Sequence, residues 1–306
     1  MKSKEQIARV LLGSAAFLLM ACGSDDTDSP QYPEDVETPV EDNRMVVNIL
    51  TRAEDDDVRG NGPSVGLYMV NYVNGQHSPL TADGNYVNNL PMNYSDGTWV
   101  PSAPIYWQDT NINADFYAYA PFMEQVEDAT SMVFRVETDQ TSEEGFQKSD
   151  LLWGTAQGLS PLVSGVSLTL NHQLSRLTIV VTPGAGFSEG ELKTGGLTVT
   201  IGGSKTMGTV DLQSGTVTAK DEVVDVKCRD NGDLTFTAIL LPQQISFTNL
   251  VSVDWNGNVY TLQNSFRLDA KKQYRLTIRL NKTQGGLDIG ISGWDIIDED
   301  FGGTVG

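Results

Sequence analysis

The chain has 306 residues, more than one ordinary β-sandwich of ~100–150 residues uses and enough for two, so two folded units plus a tether are expected. A formal charge of −20 argues against nucleic acid and anionic membrane surfaces as partners, because both are gripped by clustered Lys and Arg. Apolar content of 39% suffices for cores, and the abundance of Thr, Val, Tyr and Gly points to β-structure.

The first 21 residues read as an address. Lys2, Lys4 and Arg9 form a basic start, and Val10 to Ala21 form an apolar run too short for a permanent span. The run ends in Leu19-Met20-Ala21-Cys22, which resembles a bacterial lipobox. Cleavage there makes Cys22 the lipidated first residue, with acyl chains sufficient for stable attachment to the outer membrane. Gly23 to Asp28 is similar to the acidic signal of lipoproteins displayed outside the cell. Residues 22–43 hold eight acids, three prolines and no Lys or Arg, a composition expected to give a disordered tether.

From Met45 onward the apolar pattern has period two, broken by turn residues. Strands are expected at 45–51, 65–70, 115–119, 132–137, 166–170, 176–181, 197–201, 234–241, 273–280 and 287–291. A further pair, 251–255 and 258–262, flanks Asn256-Gly257, the sequence of a tight type I′ hairpin. No segment of the mature chain carries a helical pattern longer than two turns. Pro183-Gly184-Ala185-Gly186 ends a strongly apolar strand, so domains are expected at 44–183 and 184–306. Both read as sandwiches of short antiparallel strands.

Residues that could carry catalysis are sparse, and no cofactor or metal site is expected. The histidines are His77 and His172, and neither belongs to a zinc-protease, nucleophile-elbow or paired-cysteine pattern. His172 sits between apolar strands, where a hydrogen-bonded core role is expected. Cys228 is expected to be a buried, unreactive thiol. Gly202-Gly203-Ser204-Lys205-Thr206 lacks the preceding glycine spacing of a phosphate loop, and a β-hairpin is expected there. Trp107, Tyr117, Tyr119 and Trp153 read as core aromatics, with a sugar-stacking platform as the alternative.

Several ordered landmarks resemble the fimbrillin family of type V pili, the surface fibres of Bacteroides and Porphyromonas relatives. They are Val65-Gly66-Leu67-Tyr68, Ile105-Tyr106-Trp107, Asp115 to Pro121, Ser149-Asp150-Leu151-Leu152-Trp153, Leu168 to Leu177, Leu240 to Gln244, the Tyr274 strand and Gly293 to Val305. The resemblance implies an all-β chain of two tandem, transthyretin-like β-sandwich domains. It also implies a structural subunit, not an enzyme, that joins other subunits by β-strand addition, with a host or bacterial surface receptor as a further partner. A surface carbohydrate-binding lipoprotein and a tip or anchor adhesin are the rival readings.

In such proteins, by resemblance, proteolysis after an arginine removes the first strand and an extended segment of the next subunit fills the groove. An open sheet edge offers unpaired N–H and C=O groups and side-chain pockets, so an added strand gains hydrogen bonds and apolar burial. The parts are in order here: a strand carrying Met45, Val46, Val47, Ile49 and Leu50, then Arg52, then an acidic Gly-containing loop. Arg52 is the preferred cut, with Arg59 and Arg44 as lesser candidates, and an ordinary strand-end charge is the alternative. The donor candidate is the tail carrying Leu287, Ile289, Ile291, Trp294, Ile296 and Phe301. The same tail could instead be the last strand of the second sandwich.

Overall fold

The computed structural model describes residues 44–51, 64–161, 165–220, 222–283 and 286–298. The first half contains β1 (Val46–Thr51), β2 (Val65–Asn71), β3 (Val87–Ser95), β4 (Thr98–Pro101), β5 (Ala114–Ala120), β6 (Met132–Arg135), α1 (Glu143–Ser149), β7 (Leu152–Leu159), β8 (Gly165–His172) and β9 (Ser175–Pro183). The second contains α2 (Glu189–Thr194), β10 (Thr198–Lys205), β11 (Met207–Asp211), β12 (Thr216–Ala219), β13 (Val223–Lys227) and β14 (Arg229–Asp230). It ends with β15 (Thr235–Leu240), β16 (Gln243–Trp255), β17 (Asn258–Leu268), β18 (Gln273–Thr283) and β19 (Gly286–Asp298). The chain is all-β, and both described helices are under two turns long.

The strands form a seven-stranded sheet ordered β1-β8-β7-β5-β2-β3-β4 and a three-stranded sheet β12-β11-β6. A four-stranded sheet β13-β10-β16-β17 and a five-stranded sheet β14-β15-β9-β18-β19 make up the rest. Leu177, Ile179, Leu276 and Ile278 of the five-stranded sheet pack on Val199, Val251 and Val253 of the four-stranded one, forming a sandwich core. Alternate residues of one strand share a face, so the period-two pattern read in the sequence becomes one wet and one buried side.

Strand β5 is buried along its whole length because both of its faces are covered. Phe116, Ala118 and Ala120 join Leu67, Leu168 and Trp107 in one core. Tyr117 and Tyr119, on the opposite face, join Phe134 of the first half and Val210, Leu212, Ile239 and Leu241 of the second in another. The two halves therefore share a hydrophobic core, and β6 pairs with β11 across it. Gln140, fully buried, locks the same junction: its amide donates to the Ile239 carbonyl at 2.8 Å and accepts the Ile239 N–H at 2.8 Å.

Several expectations change in the folded chain. Two pairings, β1 with β8 and β9 with β18, are parallel in sheets expected to be antiparallel throughout. The break expected at Pro183 falls at the end of β9, yet the sheet partners of β9, β15 and β18, both lie beyond it. Gly202 to Thr206 is not a hairpin: β10 bulges at Gly202-Gly203, where Gly203 has φ of 68°, and the chain then passes into β11 of another sheet. A Cβ on Gly202 would lie 2.1 Å from the Asn249 carbonyl oxygen, so the glycine serves a close strand approach. Asn256-Gly257 does form the expected tight turn, with φ of 52° and 76°.

Helix α2 is fixed by a capping box, in which the Ser188 N–H donates to Glu191 Oε2 at 2.8 Å and the Ser188 hydroxyl accepts the Glu191 N–H. The Ser188 backbone bond, followed by the bond from Lys282, holds the Glu191 carboxyl down at about 2. A carboxyl depressed in the fold stabilises above its ordinary value near 4.5 and loses that effect as pH falls toward 2. Glu191→Gln should therefore melt below the parent at pH 7, with the gap closing between pH 4.5 and 2 in thermal scans. Gln140→Leu removes both partners of the buried Ile239 backbone, so urea unfolding should show a loss of about 1–3 kcal/mol per orphaned group.

Candidate functional site at the first strand

Strand β1 follows from its alternation. Met45, Val47 and Ile49 are 4%, 5% and 7% exposed and face the core of the seven-stranded sheet, whereas Val46 and Leu50 are 58% and 54% exposed. All five residues expected to belong to a displaceable strand thus lie in or beside β1, with three of them inward. Its ladder runs parallel to β8, from Val46 opposite Gly165 to Thr51 opposite Leu170. The Met45 N–H donates to the Ile105 carbonyl at 2.9 Å and Arg44 forms a bridge with Tyr106, which ties down the start of the strand.

Among the described residues β8 is the only strand paired with β1, which places β1 at the edge of the sheet. Burying each inward side chain contributes ~1.5–3 kcal/mol, while fixing each residue of the strand costs ~1–2 kcal/mol. The two are of similar total size over a strand this short, so the ladder to β8 and the shape of the slot decide whether β1 stays. Val65, Leu67, Phe116 and Leu168, each fully buried, belong to the same core as its inward side chains.

The other expected site residues are distributed as follows. Cys22, Arg52, Arg59 and Phe301 lie outside the described residues. Arg44 is exposed at the head of β1. Leu287, Ile289, Ile291, Trp294 and Ile296 all lie on β19, which pairs antiparallel with β18 through Lys282, Leu280, Ile278, Leu276 and Tyr274 respectively. β19 forms the edge of the five-stranded sheet, and Ile289 is half-buried against the second core. The first strand and the tail are therefore not brought together: each occupies the edge of a different sheet.

Burial accounts for the remaining candidates. His172 is buried and its Nδ1 lies 2.9 Å from Asp150 Oδ1, the expected core role. His77 caps the fully buried Asp115 at 2.5 Å, an arrangement not anticipated from the sequence. Burial pushes the Cys228 thiol well above its ordinary range. Tyr117, Tyr119 and Trp107 are core residues, and the Trp153 indole N–H donates to the Leu212 carbonyl at 2.7 Å. At Gly202 to Thr206 the Asp225 carboxylate accepts the Gly203 N–H and Gln243 accepts the Lys205 N–H, so these two backbone donors are already used.

A family model described as fimbrillin-like matches residues 51–294. The chain belongs to the fimbrillin-like family. A candidate fimbrium tip subunit of Bacteroides ovatus, Fim1C, is 24% identical over 163 residues, 46% of this chain, and the match spans 29% of that relative's length. Among solved structures, a candidate cell adhesion protein from Bacteroides uniformis has a TM-score of 0.62 at 20% identity, covering 83% of this fimbrillin-like chain and 99% of the other. One from Bacteroides ovatus has a TM-score of 0.63 at 14% identity, covering 84% and 98%. These likenesses show a shared fold.

The two faces of β1 should respond differently to substitution. Ile49→Ala should cost about 2–5 kcal/mol in denaturant unfolding if β1 melts with the body of the protein. Val46→Thr, on the wet face, should stay within about 0.5 kcal/mol of the parent.

Proposed function

We propose that this fimbrillin-like chain is a structural subunit of a surface fimbria, exported as a lipoprotein through Cys22 and assembled by replacement of β1. Cleavage after Arg52 frees β1 and uncovers part of the core that holds Val65, Leu67, Phe116 and Leu168. An extended segment of a second copy then pairs with β8, and the tail of β19 is the donor.

One observation carries the reading: β1 and the adjoining Met45 bury three alternate side chains in the core, yet among the described residues β1 pairs with a single strand. A strand so placed plugs its groove and, past its tied start, is held on one edge, which is the arrangement strand addition needs. The family match supports it further, since it begins at Thr51, the last residue of β1, and so covers the part that a cut after Arg52 leaves behind. Kinship with a candidate tip subunit supports a second reading, in which the copy sits at the fibre end and is not repeated along it.

Treatment of the chain with an Arg-specific protease should yield a product beginning at Ala53 that assembles, as seen by electron microscopy. Arg52→Ala should remain intact at that position and monomeric. Fibres from Arg52→Ala with the same starting residue as the parent would sink the proposal, and so would a cut protein that stays monomeric. Antibody label along the fibre supports a stalk, and label confined to its ends supports the tip.

A further inference from the structure

Away from β1, a cleft of about 450 Å³ opens between residues 82–89 and 124–127, with Tyr68 of β2 among its lining residues. Asp83, Glu124 and Glu127 stand exposed on its walls, and among the described residues no Lys, Arg or His lines it. The walls are braced. The Asn89 amide donates to the Met123 carbonyl at 2.8 Å and its oxygen accepts the Tyr119 hydroxyl at 2.8 Å, joining one side of the cleft to the other. Asn85 links Thr81 to Asn88 on the near side.

Tyr68 is the informative residue. It is fully buried, and its hydroxyl has no hydrogen-bond partner among the described residues. A buried hydroxyl left unpaired is destabilising, so a position that keeps one invites a ligand. Burial, with the charges of Tyr119 and Asp83 adding to it, holds the phenol protonated far above neutral pH. The hydroxyl is therefore a neutral dipole, held under the surface of a cleft that Tyr68 helps to line.

The charge of the walls selects among ligands. Three carboxylates with no balancing cation repel phosphate and carboxylate groups. A sugar would need a ring face to stack on, and the Tyr68 ring is fully covered. A metal ion is not favoured either, since no group of three His, Cys, Asp or Glu among the described residues converges closely enough to hold one. A cationic side chain meets every requirement: it neutralises the walls and donates N–H to the orphaned oxygen.

We propose that this cleft binds the guanidinium or ammonium group of an Arg- or Lys-bearing segment of another protein, with Asp83, Glu124 and Glu127 around the charge and the Tyr68 hydroxyl as acceptor at its end. The site does not involve β1 or strand replacement, so it stands or falls apart from the assembly reading.

The test is calorimetric titration of the full chain with capped Gly-Arg-Gly, its Lys counterpart and its neutral citrulline counterpart, alongside methyl glycosides. Because the whole protein is anionic, a control variant with Asp96→Asn and Glu144→Gln matches the net charge of the cleft variant with Asp83→Asn and Glu127→Gln. Saturable binding of a cationic peptide is expected, weakened about tenfold in the cleft variant and little changed in the control. Tyr68→Phe should weaken binding several-fold while leaving the unfolding midpoint equal or higher, since it removes an unpaired group. Equal weakening in both double variants, unchanged binding in Tyr68→Phe, equal binding of the citrulline peptide or a glycoside, or no binding at all would overturn the proposal.

Discussion

The architecture depends on β5 having no wet face. Its small and aromatic residues alternate so that Phe116, Ala118 and Ala120 close one core while Tyr117 and Tyr119 close another. Because the tyrosine core also takes Val210, Leu212 and Ile239 from the second half, neither half completes its burial alone. The β6–β11 ladder and the two bonds between Gln140 and Ile239 then fix register between parts of the chain far apart in sequence. Most of the shared interface is apolar and non-directional, and the buried amide supplies the direction.

Both candidate assembly elements sit at the margins of this body. Among the described residues β1 and β19 each pair with one strand only; β1 buries alternate side chains, and Ile289 of β19 packs half-buried against the second core. A strand at an edge forfeits half of the ladder that an interior strand enjoys, so edges are where segments of one chain are most readily replaced by segments of another. The central strands β5 and β9, bonded on both sides, have no such freedom.

The strongly alternating strands were legible in the sequence. Val46 to Thr51, the Asn256-Gly257 hairpin and the Tyr274 strand appear where the pattern predicts them, because period-two alternation states directly which side chains face the core. Strands β3 and β7 were not legible: β3 carries Asn88, Asn89, Pro91 and Asn93, and β7 carries Gly154 and Gly158, residues of low strand preference held by their neighbours. Pairing across the molecule was also hidden. Nothing in Met132 to Arg135 says that its partner is Met207 to Val210, and nothing in β1 says that it will lie alongside β8 in the same direction. The cleft at Tyr68 was invisible for a related reason, since a hydroxyl without a partner is a property of the whole surrounding fold.

The direction of β1 has a geometrical consequence for any fibre built on this slot. Hydrogen-bond spacing differs between same-direction and opposed ladders, so a newcomer reproducing the β8 pairing must enter with β1's heading. Each join would then repeat one orientation, and the resulting filament would carry an arrow, with unlike ends that grow and terminate differently.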